Sequence, residues 1–178
     1  MASAEIDFHG AVAYAVGPVE QGFRSVMRHV IQTSRLYNST GCAGIARRAT
    51  LVATGYARHR RAFGQAIVEY PLVQEMVAGM RATSAALVAG ALELAAMVDG
   101  LETGALDEAE RAFLRVAINL VKMRSSQHSH RVVLTAIEML GGNGAIETFS
   151  VLPRLLRDNV VYENWEGTHN TLIAQTVR

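Results

Sequence analysis

Apolar positions from Val19 to the end of the chain recur at three- and four-residue spacing, with polar positions between them. The first such segment runs from about Val19 to Arg60. Its register is carried by Phe23, Val26, Met27, Val30 and Ile31. Because one face of a helix has this spacing, the pattern predicts a long first helix. Residues 38–41, Asn-Ser-Thr-Gly, are a place where that helix can kink or break.

The same periodicity predicts further helices at about Pro71–Val98, Asp107–Leu140, Val151–Arg157 and from Thr168 to the end. Proline is tolerated in a first helical turn because the N–H that it lacks would have no partner there. Acidic residues at 107 and 108 suit the positive start of a helix, and Gly141-Gly142 favour its end. Two long helices joined by a short turn are typical of an antiparallel bundle.

Residues 5–17 have a different pattern. Short β-favouring runs there are bounded by Gly10, Gly17 and Pro18, which predicts a strand or ribbon. One strand pair cannot bury its apolar face alone, so this segment either packs on the helices or ends a sheet that precedes it. The predicted fold is therefore all-α, an antiparallel four-helix bundle with a short N-terminal β segment. Residues 1–18 are predicted to be the remnant of a preceding β domain and 19–178 the C-terminal helical bundle.

Composition narrows the classes of partner. The net charge of +1 gives no basic surface for a nucleic acid, and no run reaches the ~18 consecutive apolar residues of a membrane span. The single cysteine, Cys42, excludes a disulfide framework and is expected to be a buried thiol rather than a nucleophile. With no secretory leader pattern at the start, the sequence predicts a soluble cytoplasmic protein.

A basic stretch closes the first predicted helix, in the sequence Tyr56-Ala57-Arg58-His59-Arg60-Arg61-Ala62-Phe63-Gly64. Guanidinium groups that converge there would clamp a phosphate. The alternative is a solvated basic helix end, which the helix dipole also favours.

The segment Leu140-Gly141-Gly142-Asn143-Gly144 allows close approach of its backbone to a ligand and leaves N–H groups free to bind it. A simple helix-ending turn has the same composition. No Lys-Ser/Thr pair follows, so this is not a nucleoside-triphosphate-binding loop.

A third candidate is the sequence Asn164-Trp165-Glu166-Gly167-Thr168-His169-Asn170. A carboxylate beside an aromatic ring could be a general base. By itself, however, a glutamate shortly before a helix-capping threonine is ordinary helix architecture. The histidines lack the spacing of a metal pair, and no metal site is predicted.

The order of these motifs resembles the acyl-CoA dehydrogenase family over almost the whole chain. The matching elements are Tyr56-Ala57…Arg60…Phe63-Gly64, Pro71-Leu72-Val73-Gln74, Leu140-Gly141-Gly142-Asn143-Gly144, Arg157-Asp158 and Trp165-Glu166-Gly167-Thr168. The resemblance implies a bundle that helps to hold FAD at a subunit interface of a homodimer or homotetramer.

The resemblance also implies roles for individual residues. Arg60 and Phe63 would reach the pyrophosphate and adenine side of a neighbouring subunit's FAD, and Gly141-Gly142 would lie against a partner's FAD. The other implied cofactor contacts are Thr168, Asn170 and Glu138, the last of which replaces a glutamine of many members.

Glu166 takes the place of the family's catalytic base, which removes the pro-R α-proton of an acyl-CoA thioester while flavin N5 takes the β-hydride. Some members carry the base on an earlier helix, where this chain has Ser34, so Glu166 is the candidate. Trp165, which replaces a tyrosine, places the chain nearer the alkylation-response branch.

The resemblance covers only the last part of the family enzyme. We therefore predict a C-terminal domain of a longer flavin-dependent acyl-CoA dehydrogenase that is inactive as an isolated fragment. The alternative is a self-associating helical bundle without enzymatic activity, or an alkylation-response homologue that binds FAD without standard turnover.

Overall fold

The computed structural model describes residues 4–177, and four helices dominate it. The long helices are α2 (Gln32–His59), α3 (Pro71–Glu102) and α4 (Glu108–Leu140), and α5 (Leu152–Asn164) is the fourth. A short helix, α1 (Gly22–Ser25), leads through a π-helical segment (Val26–Ile31) into α2, and α6 (His169–Thr176) ends the chain. The predicted all-α four-helix bundle is confirmed.

Small and branched apolar side chains fill the interior between the four helices. Helix α2 contributes a row of alanines that packs against α3 and α4. Several side chains of this row and of the helices that face it are fully buried: Ala46, Ala49, Ala53, Ala57, Val133, Ala136 and Leu152. Because alanines let helix backbones approach closely, α2 occupies the centre of the bundle.

Helix α4 begins where the acidic pair predicts. The carboxylate of Asp107 accepts the backbone N–H of Glu110 at 2.8 Å, and the Glu110 carboxylate accepts the N–H of Asp107 at 2.9 Å. This capping box satisfies two N–H groups that a helix start leaves without partners. At the other end, Gly141 has a positive φ of 59° and stops the helix.

The kink considered at residues 38–41 does not occur, since α2 is continuous through them. Thr40 bonds back to the carbonyl of Leu36, and Asn38 donates to the backbone carbonyl of Tyr162 on α5. A Cβ at Gly41 would come within 2.8 Å of the Tyr162 hydroxyl. These small polar residues therefore let α5 pack closely on α2 rather than breaking the helix.

The strand predicted within residues 5–17 is wrong. Residues 4–18 form no helix or strand, and their apolar side chains are exposed. A lone β-favouring segment has no partner strand here to complete its hydrogen bonds. The domain boundary proposed at residue 18 stays a prediction, and residues 1–3 and 178 lie outside the described range.

The part of the chain that the structure describes has one pair of strands, β1 (Arg61–Ala62) and β2 (Gln65–Ala66), which form an antiparallel hairpin. Its two-residue turn consists of Phe63 and Gly64, with φ of 48° and 94°. Positive φ at both central residues matches the twist of a tight hairpin.

Helix α3 is the described helix that is long and apolar enough to cross a membrane, with a mean hydropathy of 1.5 over an 18-residue window. Only 17% of that window is buried within the chain. Length and composition do not distinguish a membrane helix from one that packs against another protein surface. Leu72 and Leu92 are prominent on its exposed surface.

Candidate functional site

Glu166 lies in the short loop between α5 and α6. Its backbone is left-handed, with φ of 60°, and Gly167 follows with φ of 104°. A left-handed conformation is uncommon for residues other than glycine and persists where the surroundings impose it. The loop is therefore held in an unusual shape at the residue predicted to be the base.

Two residues at the start of α2 hold Glu166. The Ser34 hydroxyl donates to Oε1 of Glu166 at 2.6 Å, and Nε of Arg35 donates to the backbone carbonyl of Glu166 at 3.0 Å. Arg35 also donates to Oδ1 of Asn119 at 2.7 Å. Burial lowers the pKa of Arg35, and the Glu166 carboxylate acts in the opposite direction. The two predicted positions of the base, Ser34 and Glu166, are thus in direct contact.

A buried lysine on α4 binds both the end of α5 and the same loop. Nζ of Lys122 donates to the carbonyl of Glu163 at 3.0 Å and to that of Gly167 at 2.9 Å. The side chain has no exposed surface. Burial lowers its pKa to about 8, an effect that Arg35 increases and that Cys42, Glu166 and Glu163 oppose.

Cys42 is buried beside this lysine, as the sequence predicts. Burial raises the pKa of its thiol to about 12; the Lys122 ammonium opposes the shift and Glu163 adds to it. A thiol that keeps its proton at neutral pH is a poor nucleophile. Cys42 is therefore a packing residue of the core.

The end of α5 is fixed by a second polar cluster. His130 and Glu163 are 2.5 Å apart between Nδ1 and Oε1, and the Asn159 amide donates to the same carboxylate oxygen at 3.0 Å. Asn159 also donates to the backbone carbonyl of Ser126 at 2.9 Å. These contacts join α4 to the end of α5, from which the Glu166 loop begins.

Thr168 and Asn170 follow Glu166 at the start of α6, and both are exposed. The Thr168 hydroxyl lies 3.1 Å from that of Thr171 and does not cap the helix. Their roles as cofactor contacts stay predictions.

The remaining predicted cofactor residues gather at the opposite end of α2. Arg60, Glu138, Gly141 and Gly142 line one cavity of about 410 Å³, together with Tyr56, Ile67, Met139, Leu140 and Asn143. A Cβ added at Gly141 or Gly142 would meet no atom within 4 Å, so the backbone there borders open space. A cation and an open glycine turn suit a phosphate-bearing ligand.

Phe63 lies at the tip of the hairpin beside this cavity and is 98% exposed. Tyr70 supports the tip, because its hydroxyl donates to the carbonyls of Ala62 at 2.9 Å and Phe63 at 3.2 Å. An aromatic ring that projects from a supported turn is placed to contact a molecule outside this chain.

The two groups of predicted residues are far apart. Ser34 is near the beginning of α2 and Arg60 follows its end, so about 38 Å of helix separates them, at 1.5 Å per residue. Within one chain the Glu166 group and the Arg60 group therefore do not line one cavity.

Comparison with known proteins identifies the fold's relatives. The family described as acyl-CoA dehydrogenase, C-terminal domain, matches residues 20–178. The chain belongs to the acyl-CoA dehydrogenase family. The resemblance in its motifs is thereby confirmed.

Sequence relatives include acyl-CoA dehydrogenase family member 11 of Caenorhabditis elegans, 29% identical over 99% of this chain. The putative acyl-CoA dehydrogenase AidB of Escherichia coli is 28% identical, also over 99% of the chain. This chain spans only 28% and 32% of the lengths of these two relatives. The match therefore concerns one domain of longer proteins.

Solved structures of family members share the fold. Caenorhabditis elegans ACDH-11 in complex with C11-CoA matches 92% of this chain and 27% of its own, with a TM-score of 0.86 and 28% identity. An acyl-CoA dehydrogenase from Bacillus anthracis complexed with FAD matches 90% of this chain and 29% of its own, with a TM-score of 0.81 and 22% identity.

Within this acyl-CoA dehydrogenase domain, motif order located Glu166 and the Arg60 cavity, but it missed Lys122 and the support from Asn159 and His130. Lys122 stands among buried positions of α4, where a charged residue is unusual. A lysine at such a position was the one feature of the sequence that could have indicated a role for Lys122.

Proposed function

We propose that this chain is the C-terminal domain of a flavin-dependent acyl-CoA dehydrogenase and supplies its catalytic base, Glu166. The observation that carries the proposal is the position of Glu166 in a half-buried loop, where Ser34 binds its carboxylate and Arg35 binds its backbone carbonyl. The two predicted positions of the base meet at this point. The comparisons support the family, and the base assignment is our inference from the motif and these contacts.

The carboxylate has one oxygen occupied and one available. Oε1 accepts the Ser34 hydroxyl, and no hydrogen bond to Oε2 is formed within residues 4–177. Oε2 would take the α-proton of an acyl-CoA thioester, while Ser34 fixes the orientation of the group. Bound FAD would supply the acceptor for the β-hydride.

FAD would be held by residues at both ends of α2. At one end, Arg60 offers a cation for the pyrophosphate, Gly141-Gly142 offer open backbone, and Glu138 would accept hydrogen bonds from ribose or adenine donors. Phe63 would lie against the adenine side. At the other end, Thr168 and Asn170 would contact the cofactor near the base.

Because these two ends are about 38 Å apart, we infer that each cofactor is shared between two copies of the chain. A homodimer is the smallest assembly that meets this requirement, and a homotetramer contains the same pairing. The exposed leucines of α3 support an association of copies.

The cofactor assignment is tested by titrating FAD into the purified chain and following the quenching of flavin fluorescence. Arg60→Ala is expected to weaken binding by roughly tenfold or more, since it removes a charge-assisted contact. Arg58→Ala is the matched control, because Arg58 is exposed near the same helix end and does not line the cavity. Equal affinities for the two variants would contradict the assignment.

The second candidate is a self-associating bundle without dehydrogenase activity. The apolar exposure of α3 favours it, since only 17% of its most apolar window is buried within the chain. A dimer that forms without FAD and binds none when FAD is added would support this alternative. Cytoplasmic location and the absence of a nucleic-acid partner stay predictions.

A further inference from the structure

Lys122 is a charged residue in the interior without a carboxylate partner. Its side chain has no exposed surface, and both of its hydrogen bonds go to backbone carbonyls. Lysine is almost never fully buried unless it is paired, because removal of an ammonium group from water is costly. An apolar residue of similar size would fill the same space, so packing alone does not account for a lysine.

The two carbonyls that it binds flank the predicted base. Glu163 is three residues before Glu166 and Gly167 is one residue after it, so a single ammonium group closes the loop around the base. Arg35 binds the carbonyl of Glu166 itself. One carbonyl at the end of α5 and two carbonyls of the loop thus receive donors from two buried cations on different helices.

These contacts account for the backbone of Glu166. When its neighbours' carbonyls point to Nζ of Lys122, the chain between them turns through a left-handed residue, with φ of 60° at Glu166. The same turn aims the Glu166 carboxylate at the Ser34 hydroxyl. Without the ammonium group, a right-handed or extended Glu166 would be favoured.

We propose that Lys122 is a positioning residue, which sets the orientation of the Glu166 carboxylate by binding the carbonyls of Glu163 and Gly167. The proposal rests on the proposed role of Glu166 as base. Because the Lys122 side chain has no exposed surface, it would act through the backbone that it binds rather than by contact with a ligand.

The loop carries its own reporter. Trp165 is the only tryptophan in the sequence, and it precedes Glu166 directly. Trp165 is 51% exposed, so a soluble quencher reaches it, and its backbone N–H donates to the carbonyl of Val161 at 2.8 Å. Quenching of its fluorescence and amide exchange at residues 164–168 therefore measure the order of this loop in the intact chain.

Lys122→Met removes the donors and keeps the side-chain length. Amide exchange in residues 164–168 is expected to accelerate roughly tenfold, the effect of losing one or two net hydrogen bonds, and acrylamide quenching of Trp165 is expected to increase. Helical circular dichroism and amide exchange in α2 should stay as in the wild type. Unchanged exchange and quenching in the loop would overturn the proposal.

Val133→Ala is the control for general destabilisation. Val133 is also fully buried on α4, but it packs in the apolar core and bonds no part of the loop. It should lower overall stability without a selective change at Trp165. If the loop responds equally to both variants, Lys122 is a structural residue only and the proposal fails.

Lys122→Arg keeps the experiment decisive if the methionine variant does not fold. The arginine retains charge and donors but differs in reach, so exchange in residues 164–168 should accelerate selectively by less than tenfold. Uniform acceleration throughout the chain would contradict the proposal.

Measurements of turnover distinguish a failure of the positioning role of Lys122 from a failure of the base assignment of Glu166. In a form of the protein that carries the remaining domains of its relatives, Lys122→Met should lower kcat with little change in KM. It should have no further effect when Glu166 is already glutamine. An additional loss in the Glu166→Gln background would overturn the positioning role, whereas full activity of Glu166→Gln alone would remove the base assignment and leave the loop measurements intact.

Discussion

The two ends of α2 differ in how completely this chain builds them. At the Glu166 end, Ser34, Arg35 and Lys122 bind one loop, and two of these side chains are buried. At the Arg60 end, the cavity is open and Phe63 is 98% exposed. The proposed base is thus oriented by its own chain, whereas the proposed cofactor residues face open space. A domain can preorganise its catalytic group and still depend on other parts of an assembly for binding.

The largest expected effect is at the Glu166 end. In a form that carries the remaining domains, Glu166→Gln should lower kcat by roughly 10²–10⁴, because general-base catalysis is lost, while FAD binding is retained. Turnover of an acyl-CoA and the flavin content of the same sample measure the two quantities. Glu93→Gln, an exposed change on α3, should leave both as in the wild type. A fully active Glu166→Gln variant would show that Glu166 is not the base.

At the other end, the glycine turn gives the next largest effect. A Cβ at Gly144 would lie 2.3 Å from the backbone carbonyl oxygen of Ile137, so the turn must shift to admit it. Gly144→Ala should lower the free energy of unfolding by about 2–4 kcal/mol, as other severe steric substitutions do. Gly142→Ala meets no atom within 4 Å and should change it by less than about 0.5 kcal/mol. Urea denaturation of both variants tests whether only Gly144 is required sterically.

Lys122 gives the Glu166 end a distinct pH dependence. Its pKa is about 8 in the folded chain and 10.5 ordinarily, so between these values the unfolded chain binds more protons. The contribution of Lys122 to the free energy of unfolding therefore increases as pH rises from about 8 to 10.5, by at most about 1.4 kcal/mol per pH unit. The same contribution is lost as pH falls through 8. The other titratable groups that face the ammonium are the same in the wild type and in Lys122→Met. They are Cys42, Arg35, Glu163 and Glu166.

The measurement is the difference in unfolding free energy between the wild type and Lys122→Met across this pH range. The wild type should gain stability relative to the variant as pH rises. A constant difference would show that the ammonium titrates alike in the folded and unfolded chains.

The smallest effect on stability is expected at Phe63. Since its ring is 98% exposed, Phe63→Ala should change the free energy of unfolding by less than about 0.5 kcal/mol. Its effect should instead be a weaker affinity for FAD in the assembled protein. A large loss of stability would mean that the ring packs within its own chain, which would remove the contrast between the two ends.

Much of this architecture could be predicted from the sequence, because it depends on side-chain patterns. The apolar register located α3 and α4, and the acidic pair at 107 and 108 marked where α4 begins. Helix α5 extends to Asn164, beyond the predicted end at Arg157, since Asn159 and Tyr162 continue its contacts with α2 and α4. The order of motifs also named four of the residues that line the Arg60 cavity, which are Arg60, Glu138, Gly141 and Gly142.

What could not be predicted depends on backbone groups or on absent neighbours. Lys122 was missed because its partners are carbonyls, which every residue has, so no side-chain pattern indicates them. The hairpin at Arg61–Ala66 was missed because strands of two residues are too short to show alternation. The wrong strand at residues 5–17 has the opposite cause, since its β-favouring composition lacks a partner within the described chain.

The length of α2 has a consequence for mixtures of variant chains. If each flavin lies between the Glu166 end of one copy and the Arg60 end of another, a dimer with twofold symmetry contains two composite sites. A chain with Arg60→Ala paired with a chain carrying Glu166→Gln then assembles one site with both defects and one with neither. In a form that carries the remaining domains, random reassociation of the two defective variants should therefore restore about a quarter of the wild-type activity. The length of α2 would thus allow two differently defective subunits to complement each other.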